Sequence, residues 1–316
     1  MGDVRALVVV SEPIHSDAMA RLASEAEALL APGWDEASLC SCLSEAEGLI
    51  LRGLGQVTAA VLDAAPRLRI VARHGTGVDN VDLEAARQRG VVVTNTPDAT
   101  TASVAEHALA LLLAVARRVS LADRGLRAGD WAVRERCWGM DLDGCPLGVI
   151  GFGRIGQRVA RACHLGLGMN VVYYDPAPAL APGIEAQALS FGEVLAAADV
   201  LTLHLPLTAA TRGLIGRNEL ARMKDGAILI NAARGPIVDE VALLEALQAG
   251  KLGGAGLDVF AQEPVRGTHP LAGLDNVVLT PHIASSTPGT MRRMALTAVE
   301  EVLAVLSGRQ PRYRVV

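Results

Sequence analysis

The stretch LGVIGFGRIGQRVA, residues 147–160, places Gly151, Gly153 and Gly156 in G-x-G-x-x-G spacing between an apolar run and an amphipathic one that opens with Arg154 and Ile155. The first glycine permits a tight turn, the second lets the backbone approach a pyrophosphate, and the third lets a helix pack closely on a strand. Nineteen residues beyond Gly156 the next apolar run, VVYYD, ends at Asp175. A carboxylate there can accept hydrogen bonds from both ribose hydroxyls and repels a 2′-phosphate. Residues 176–191 contain no Lys or Arg to neutralise such a phosphate, so NAD is expected in preference to NADP. The plain alternative is a glycine turn with a capping Asp and no ligand.

Working outward, PLGVI, VVYYD, VLTLHLP, AILIN, GAGLDV and VVLTPH give six expected strands, the number in a complete dinucleotide fold. Upstream, RALVVV (5–10), GLILR (48–52), RIVAR (69–73) and VVVTN (91–95) alternate with helical patterns at 16–30, 35–45 and 83–89. Such alternation makes parallel sheets covered on both faces. A chain of 316 residues exceeds one hydrophobic core. The expected fold class is therefore α/β, with two Rossmann-like, doubly wound parallel-sheet domains and a ligand cleft between them. Residues 102–118 are apolar on nearly every side, as in a helix buried between layers or between domains. Residues 119–145 are charged, contain Trp131 and Trp138, and read as a projecting arm. A last helix over 288–306 should bury Met291, Met294, Leu296, Val299 and Leu303.

Composition narrows the function. Hydrophobic residues make up 51% and charged residues 20%, which excludes a disordered chain. Aromatics at 3% and a net charge of −5 supply neither stacking platforms nor a basic field, so no nucleic-acid partner is expected. No apolar run approaches the roughly 18 residues of a membrane span, and the opening run is too short for a signal-peptide core. Five cysteines, an odd number, point to a reducing compartment, hence the cytoplasm. The lone C-x-C of Cys40 and Cys42 has no second pair at zinc-like spacing, so it reads as helix packing and no metal is expected.

Three charged residues follow the later strands: Arg234 in NAARGPIVDE, Glu263 in LDVFAQEP and His282 in LTPHIASS. Ligands of open α/β sheets bind beyond the carboxyl ends of the strands. A hydride transfer needs a partner for the accompanying proton, and histidine is the side chain poised near neutrality. Glu263 can orient His282 and favour the imidazolium, while the planar fork of Arg234 suits a carboxylate and a carbonyl oxygen. Each taken alone is more often a salt-bridged or capping residue than a catalyst.

Together GFGRIG, the Asp at the next strand end, LHLPLT, NAARGPIVDE, GLDVFAQEP and TPHIASST resemble the D-isomer-specific 2-hydroxyacid dehydrogenases over nearly the whole chain. RHGTGVDNVD and LILRG look most like phosphoglycerate dehydrogenases, with hydroxypyruvate and glyoxylate reductases close behind. The resemblance implies that Arg234 binds the substrate carboxylate and keto oxygen, and that His282, paired with Glu263, passes the proton. It implies a substrate-binding loop at 73–79, with Gly75, Thr76 and Gly77 offering backbone N–H groups. His204, Pro206, Thr211, Ala232, Asp258 and His282 match positions that line the cofactor. Arg52 and Arg73 each close a strand and are expected to reach a distal anionic or hydroxyl group of the substrate. A substrate-binding, flavodoxin-like domain of 1–98 plus 287–316 and an NAD-binding domain of 99–286 are implied. The arm at 119–145 resembles a dimer-forming segment, so a homodimer is expected, with a small 2-keto or 2-hydroxy acid as the other partner. His74 departs from the small residue common in phosphoglycerate dehydrogenases. No counterpart of their C-terminal regulatory domains is seen, so serine feedback is not expected. The rival readings are an NAD(H)-sensing corepressor-like protein and a formate dehydrogenase-type enzyme; the latter has Gln where this chain has Glu263.

Overall fold

The computed structural model describes residues 5–177 and 183–316. The first four residues, part of the reading of the opening segment, and 178–182, part of the cation-free stretch after Asp175, lie outside them. The chain divides into two compact units, Met1–Thr100 with Ser286–Val316, and Thr101–Ser285.

The first unit is a five-stranded parallel sheet of β1 (Leu7–Val10), β2 (Glu27–Leu30), β3 (Gly48–Leu51), β4 (Ile70–Arg73) and β5 (Val92–Thr94), in the order β2-β1-β3-β4-β5. This is the flavodoxin-like strand order. Successive residues of a strand face opposite sides, and both sides are apolar. Val9, Leu49, Leu51, Val71 and Val93 pack beneath α2 (Glu36–Cys42), α3 (Ala59–Asp63) and α4 (Leu83–Gln88). Val8, Val10, Ile50, Ile70 and Ala72 pack against α1 (Ser16–Ala23) and the last helix, Pro288–Leu306. Burying each Val, Leu or Ile contributes about 1.5–3 kcal/mol. The tail after that helix returns to β5, where Thr94 bridges Arg314 antiparallel and the buried Glu301 carboxylate accepts the N–H groups of Arg312 and Tyr313.

Two sequence expectations change here. Residues 16–30 are not one helix: α1 ends at Ala23, and Glu27–Leu30 is an edge strand paired with β1. Leu22, Ala26, Leu29 and Leu30 continue a helical period by coincidence, and the strand has no β-branched residue to mark it. In the last helix Met294, Val299 and Leu303 are buried as expected, but Met291 and Leu296 are only half-buried.

A 20-residue helix, α5 (Pro97–Ala116), is followed by α6 (Val119–Arg127) and a short 3₁₀ turn at Trp131–Arg136. Against the expectation from the sequence, α5 is long and apolar enough to cross a membrane, because Glu106 and His107 interrupt its apolar run without lowering the average far. Half of that stretch is buried in the protein. Leu111 and Val115 of α5 lie against Gly256 and Gly254 in the seven-stranded sheet of the second unit, so its apolar character serves that core.

That sheet contains β6 (Pro146–Ile150), β7 (Asn170–Tyr174), β8 (Ala186–Ala188), β9 (Val200–Leu203), β10 (Ala227–Asn231), β11 (Leu252–Leu257) and β12 (Val277–Leu279). All its pairings are parallel, in the order β12-β11-β10-β9-β6-β7-β8, a doubly wound dinucleotide-binding order with one strand added at an end. The seventh strand, β8, is Ala-Gln-Ala at the sheet edge; three residues without β-branching carry no strand signal of their own. Capping fixes the helix starts. Ser190 and Glu193 form a reciprocal box at α8 (Phe191–Ala197), and Asp239 accepts from Val241 and Ala242 at α10 (Glu240–Gln248). The strand order reverses between β6 and β9, and the glycine turn follows β6.

Candidate active site

The three glycines have separate physical reasons. Gly151 has φ +91°, and a Cβ on it would lie 2.5 Å from the His204 carbonyl oxygen. A Cβ on Gly156 would lie 2.1 Å from the Gly151 carbonyl oxygen, so turn and helix touch through their backbones. Nothing stands within 4 Å of a Cβ on Gly153, the N-cap of helix α7 (Arg154–Leu167), and no side chain caps that helix. Its first N–H groups therefore form an open, positively polarised cradle that fits a pyrophosphate. Asp175 lies just past β7, its Oδ2 accepting from Phe152 N at 2.6 Å and its Oδ1 from Ala177 N at 2.8 Å. Gln157 braces the turn from below through the Phe152 carbonyl at 2.7 Å. These residues fit a dinucleotide carrying an unphosphorylated ribose.

Around the next strand ends, His204 Nε2 meets Thr202 Oγ1 at 2.9 Å, and the Thr211 hydroxyl donates to the Pro206 carbonyl at 2.6 Å. Ala232 follows β10 and is buried. Asn231 ends β10 and turns the chain: its side chain accepts from Ala233 N and donates to the Arg234 carbonyl. Arg234 is thereby presented in extended backbone, with one guanidinium N–H on the Ala233 carbonyl at 2.7 Å.

His282 and Glu263 do meet. The His282 Nδ1 to Glu263 Oε2 distance is 2.6 Å, and Glu263 Oε1 accepts from Phe260 N at 2.9 Å. Burial tends to lift the Glu263 carboxyl. The His282 hydrogen bond and charge, the Phe260 N–H and the Arg234 charge outweigh it and hold the carboxyl below its usual range. Glu263 is thus an anion facing the imidazole, with Arg234 close enough to act on it. His282 has φ +52°, a left-handed conformation rare for a residue with a side chain. Asp258, fully buried, holds it there: its carbonyl accepts from His282 N at 2.7 Å, Oδ1 from Ile283 N at 2.9 Å and Oδ2 from Ala284 N at 2.8 Å. The carboxylate of Asp258 is occupied by this loop.

In the first unit, Arg73 ends β4 and donates from Nε to Asn80 Oδ1 at 3.2 Å and from Nη1 to the His74 carbonyl. Arg52 lies one residue past β3 and donates to the Pro13 carbonyl at 2.8 Å. Gly75 has φ +147°, and its N–H is taken by Thr96 Oγ1 at 3.0 Å. Thr76 is held through its hydroxyl by Thr100 at 2.6 Å and through its carbonyl by Asn95 at 2.7 Å. The N–H groups of Thr76 and Gly77 face no acceptor among the described residues. His74 is buried beneath this loop, and burial with the nearby Arg52 charge pulls its imidazole down to about 4.

The profile for D-isomer specific 2-hydroxyacid dehydrogenase, NAD binding domain, matches residues 109–284, more than half of the chain. The chain belongs to the D-isomer-specific 2-hydroxyacid dehydrogenase family. Among its relatives is the D-3-phosphoglycerate dehydrogenase of Archaeoglobus fulgidus, 43% identical over 304 residues that cover 95% of this chain and 57% of that protein. The chain thus spans little more than half the length of the phosphoglycerate dehydrogenases it matches. Hydroxypyruvate reductase of Thermotoga maritima is 39% identical over 302 residues, covering 95% of this chain and 98% of the relative. A crystal structure of the NADPH-dependent glyoxylate/hydroxypyruvate reductase of Sinorhizobium meliloti, with NADP and malonate, superposes with a TM-score of 0.89 at 34% identity, covering 99% and 97% of the two chains.

Reading the sequence as a member of this 2-hydroxyacid dehydrogenase family still misses Asn231, Gly235 and Gln157. Asn231 carried a faint signal, a polar residue closing the apolar run AILIN. Gly235 carried none, since what constrains it is a tertiary contact.

The buried His74 gives a prediction for stability. Its ring stays neutral in the folded protein down to about pH 4, whereas in the unfolded chain it takes a proton below an ordinary value near 6.5. As pH falls through that window the unfolded state binds the proton first. The stabilisation is therefore complete above pH 6.5 and is lost on approach to pH 4. About 2 kcal/mol should be gone by pH 5. Urea midpoints of wild type and His74→Ala at pH 7 and pH 5 measure it: the wild-type midpoint drops more than that of the variant. Parallel drops would remove His74 as the source.

Proposed function

We propose that the chain catalyses NAD-dependent, reversible hydride transfer between NADH and a small 2-keto acid, 3-phosphohydroxypyruvate, hydroxypyruvate or glyoxylate, giving the 2-hydroxy acid, of D configuration wherever carbon 2 becomes a stereocentre. The carrying observation is the 2.6 Å contact of His282 Nδ1 with Glu263 Oε2, because it fixes the far nitrogen, Nε2, as the one that exchanges a proton. The N–H groups opening α7 would hold the cofactor's pyrophosphate and Asp175 its adenosine ribose, with His204, Pro206, Thr211, Ala232 and the His282 loop lining the rest. NADH, when bound, supplies the hydride. In the reductive direction Arg234 grips the substrate carboxylate and draws electron density toward the keto oxygen. As carbon 2 accepts the hydride, His282 releases its Nε2 proton to that oxygen, and Glu263 stabilises the imidazolium until it does so. The neutral imidazole takes the proton back in oxidation.

In the same reading, residues 1–98 with 287–316 bind substrate and 99–286 bind the cofactor. The N–H groups of Thr76 and Gly77 suit a carboxylate. Segment 119–145 is proposed to form a homodimer; Trp131 and Trp138 on it are 70% and 80% exposed. The five free cysteines favour a reducing compartment, the cytoplasm.

A panel of 2-keto acids, one of them phosphorylated, followed by loss of NADH absorbance, tests the proposal. Turnover of a 2-keto acid is expected. NADH binding without turnover of any member would favour a sensing role and sink the enzymatic reading. Arg52 and Arg73 bear on the phosphorylated member. Their guanidinium groups brace backbone carbonyls, so a loss in Arg73→Ala confined to the phosphorylated acid would show substrate reading, and an equal loss on all acids would show loop support.

Cofactor choice gives a further prediction. Asp175→Ser combined with Pro176→Arg removes the charge that repels a 2′-phosphate and adds one that attracts it. The ratio of kcat/KM for NADPH over NADH should rise at least tenfold, the order of one charge-assisted contact. If wild type already uses both equally, the argument from Asp175 is wrong.

A further inference from the structure

We propose that His107, on helix α5, is a positioning residue for His282, acting through Thr280 and Asp258. The inference rests on the reading of His282 as the proton carrier. Three side chains form a chain of contacts beneath the His282 loop. His107 Nε2 lies 2.9 Å from Thr280 Oγ1 and 3.2 Å from Asp258 Oδ1, and Thr280 Oγ1 lies 2.6 Å from the same carboxylate oxygen. The carboxylate can only accept, so Thr280 spends its single hydroxyl proton on Asp258. His107 Nε2 must then be the donor to the hydroxyl oxygen, which fixes its tautomer.

The consequence reaches His282 through the backbone. Asp258 is wholly inaccessible to solvent, and its two carboxylate oxygens and its carbonyl hold the N–H groups of residues 282, 283 and 284. Those three bonds keep His282 at φ +52°, a strained conformation for a non-glycine residue that persists only where the surroundings impose it. A buried carboxylate is itself costly unless paired. His107 is the basic group within ion-pair distance of Asp258 among the described residues. Without His107, Thr280 and Asp258 lose the donor that fixes their orientation. The loop is then free to relax toward an ordinary φ, turning the imidazole away from Glu263.

The test compares His107→Leu, which removes the donor, with His107→Gln, whose amide N–H can replace it. For His107→Leu, kcat on the best 2-keto acid should fall about ten- to a hundredfold, the loss typical of a catalytic group displaced by about 1 Å, with the NADH dissociation constant changed less than threefold. His107→Gln should recover most of the rate. The His282 imidazole resonance, followed by NMR through a pH titration, should move in the Leu variant and return in the Gln variant. An unchanged kcat and an unchanged His282 titration in His107→Leu would overturn the proposal, as would equal losses in the Leu and Gln variants. If His107→Leu does not fold, Thr280→Val against Thr280→Ser decides the same point, because Ser keeps the hydroxyl: equal behaviour of the two overturns it. Should wild type reduce no 2-keto acid, the proposed function falls, while the NMR comparison still decides whether His107 sets His282.

Discussion

His282→Ala is expected to lower kcat by about 10²- to 10⁴-fold, the range typical of a lost acid–base group, while NADH still binds. The elements that would hold the cofactor, the glycine turn and Asp175, take no support from the imidazole, whose side-chain partner is Glu263. Steady-state kinetics and a fluorescence titration with NADH separate the two effects. Near-normal turnover would remove His282 from the mechanism. Glu263→Gln should act differently. It keeps a hydrogen-bonding partner but deletes the anion that faces the imidazole, so the alkaline limb of kcat/KM for reduction moves down. An unmoved limb would mean that the 2.6 Å contact has no bearing on the protonated state.

Gly235→Ala should be nearly as damaging, although Gly235 carries no chemistry. A Cβ there would lie 1.9 Å from the Phe260 carbonyl carbon and 2.0 Å from its oxygen. Both are backbone atoms with no rotamer to yield, so the turn after Arg234 and the loop that carries Glu263 must separate. Phe260 is also the residue whose N–H holds Glu263 Oε1. The separation therefore moves Arg234, Glu263 and the Glu263 contact with His282 at once. A displacement near 1 Å costs about a hundredfold in rate, and kcat/KM for the keto acid should fall at least that far. The glycine turn at 151–156 lies on other strands, so NADH affinity should change little. A variant with wild-type kcat/KM would show that the two loops can part without consequence.

The dinucleotide cradle was legible because its constraints are local: a turn, a helix start and an acid at a set distance lie within one stretch of chain. Arg234, Glu263 and His282 were legible as strand-end residues, and the structure brings Glu263 and His282 into contact. Asp258 was legible as a position but not in its contacts, since nothing in GLDVF indicates that both carboxylate oxygens are taken by residues 283 and 284. Gly235 and His107 act through partners 25 and more than 150 residues away, and no periodicity reports such distances. The two strands that escaped detection, β2 and β8, are edge strands whose register comes from a neighbour rather than from their own residues.

The return of the last helix, Pro288–Leu306, to the first unit imposes an order on synthesis. A ribosome delivers β1, β3, β4 and α1 early, yet α1 gives the face formed by Val8, Val10, Ile50 and Ile70 only part of its cover, and the rest waits for Ala295, Val299 and Val302, some two hundred residues later. The second unit, Thr101–Ser285, is continuous and can close its own core in the meantime. The nascent chain thus carries a half-covered, strongly β-forming surface through most of its translation, the circumstance in which chaperone capture and aggregation compete.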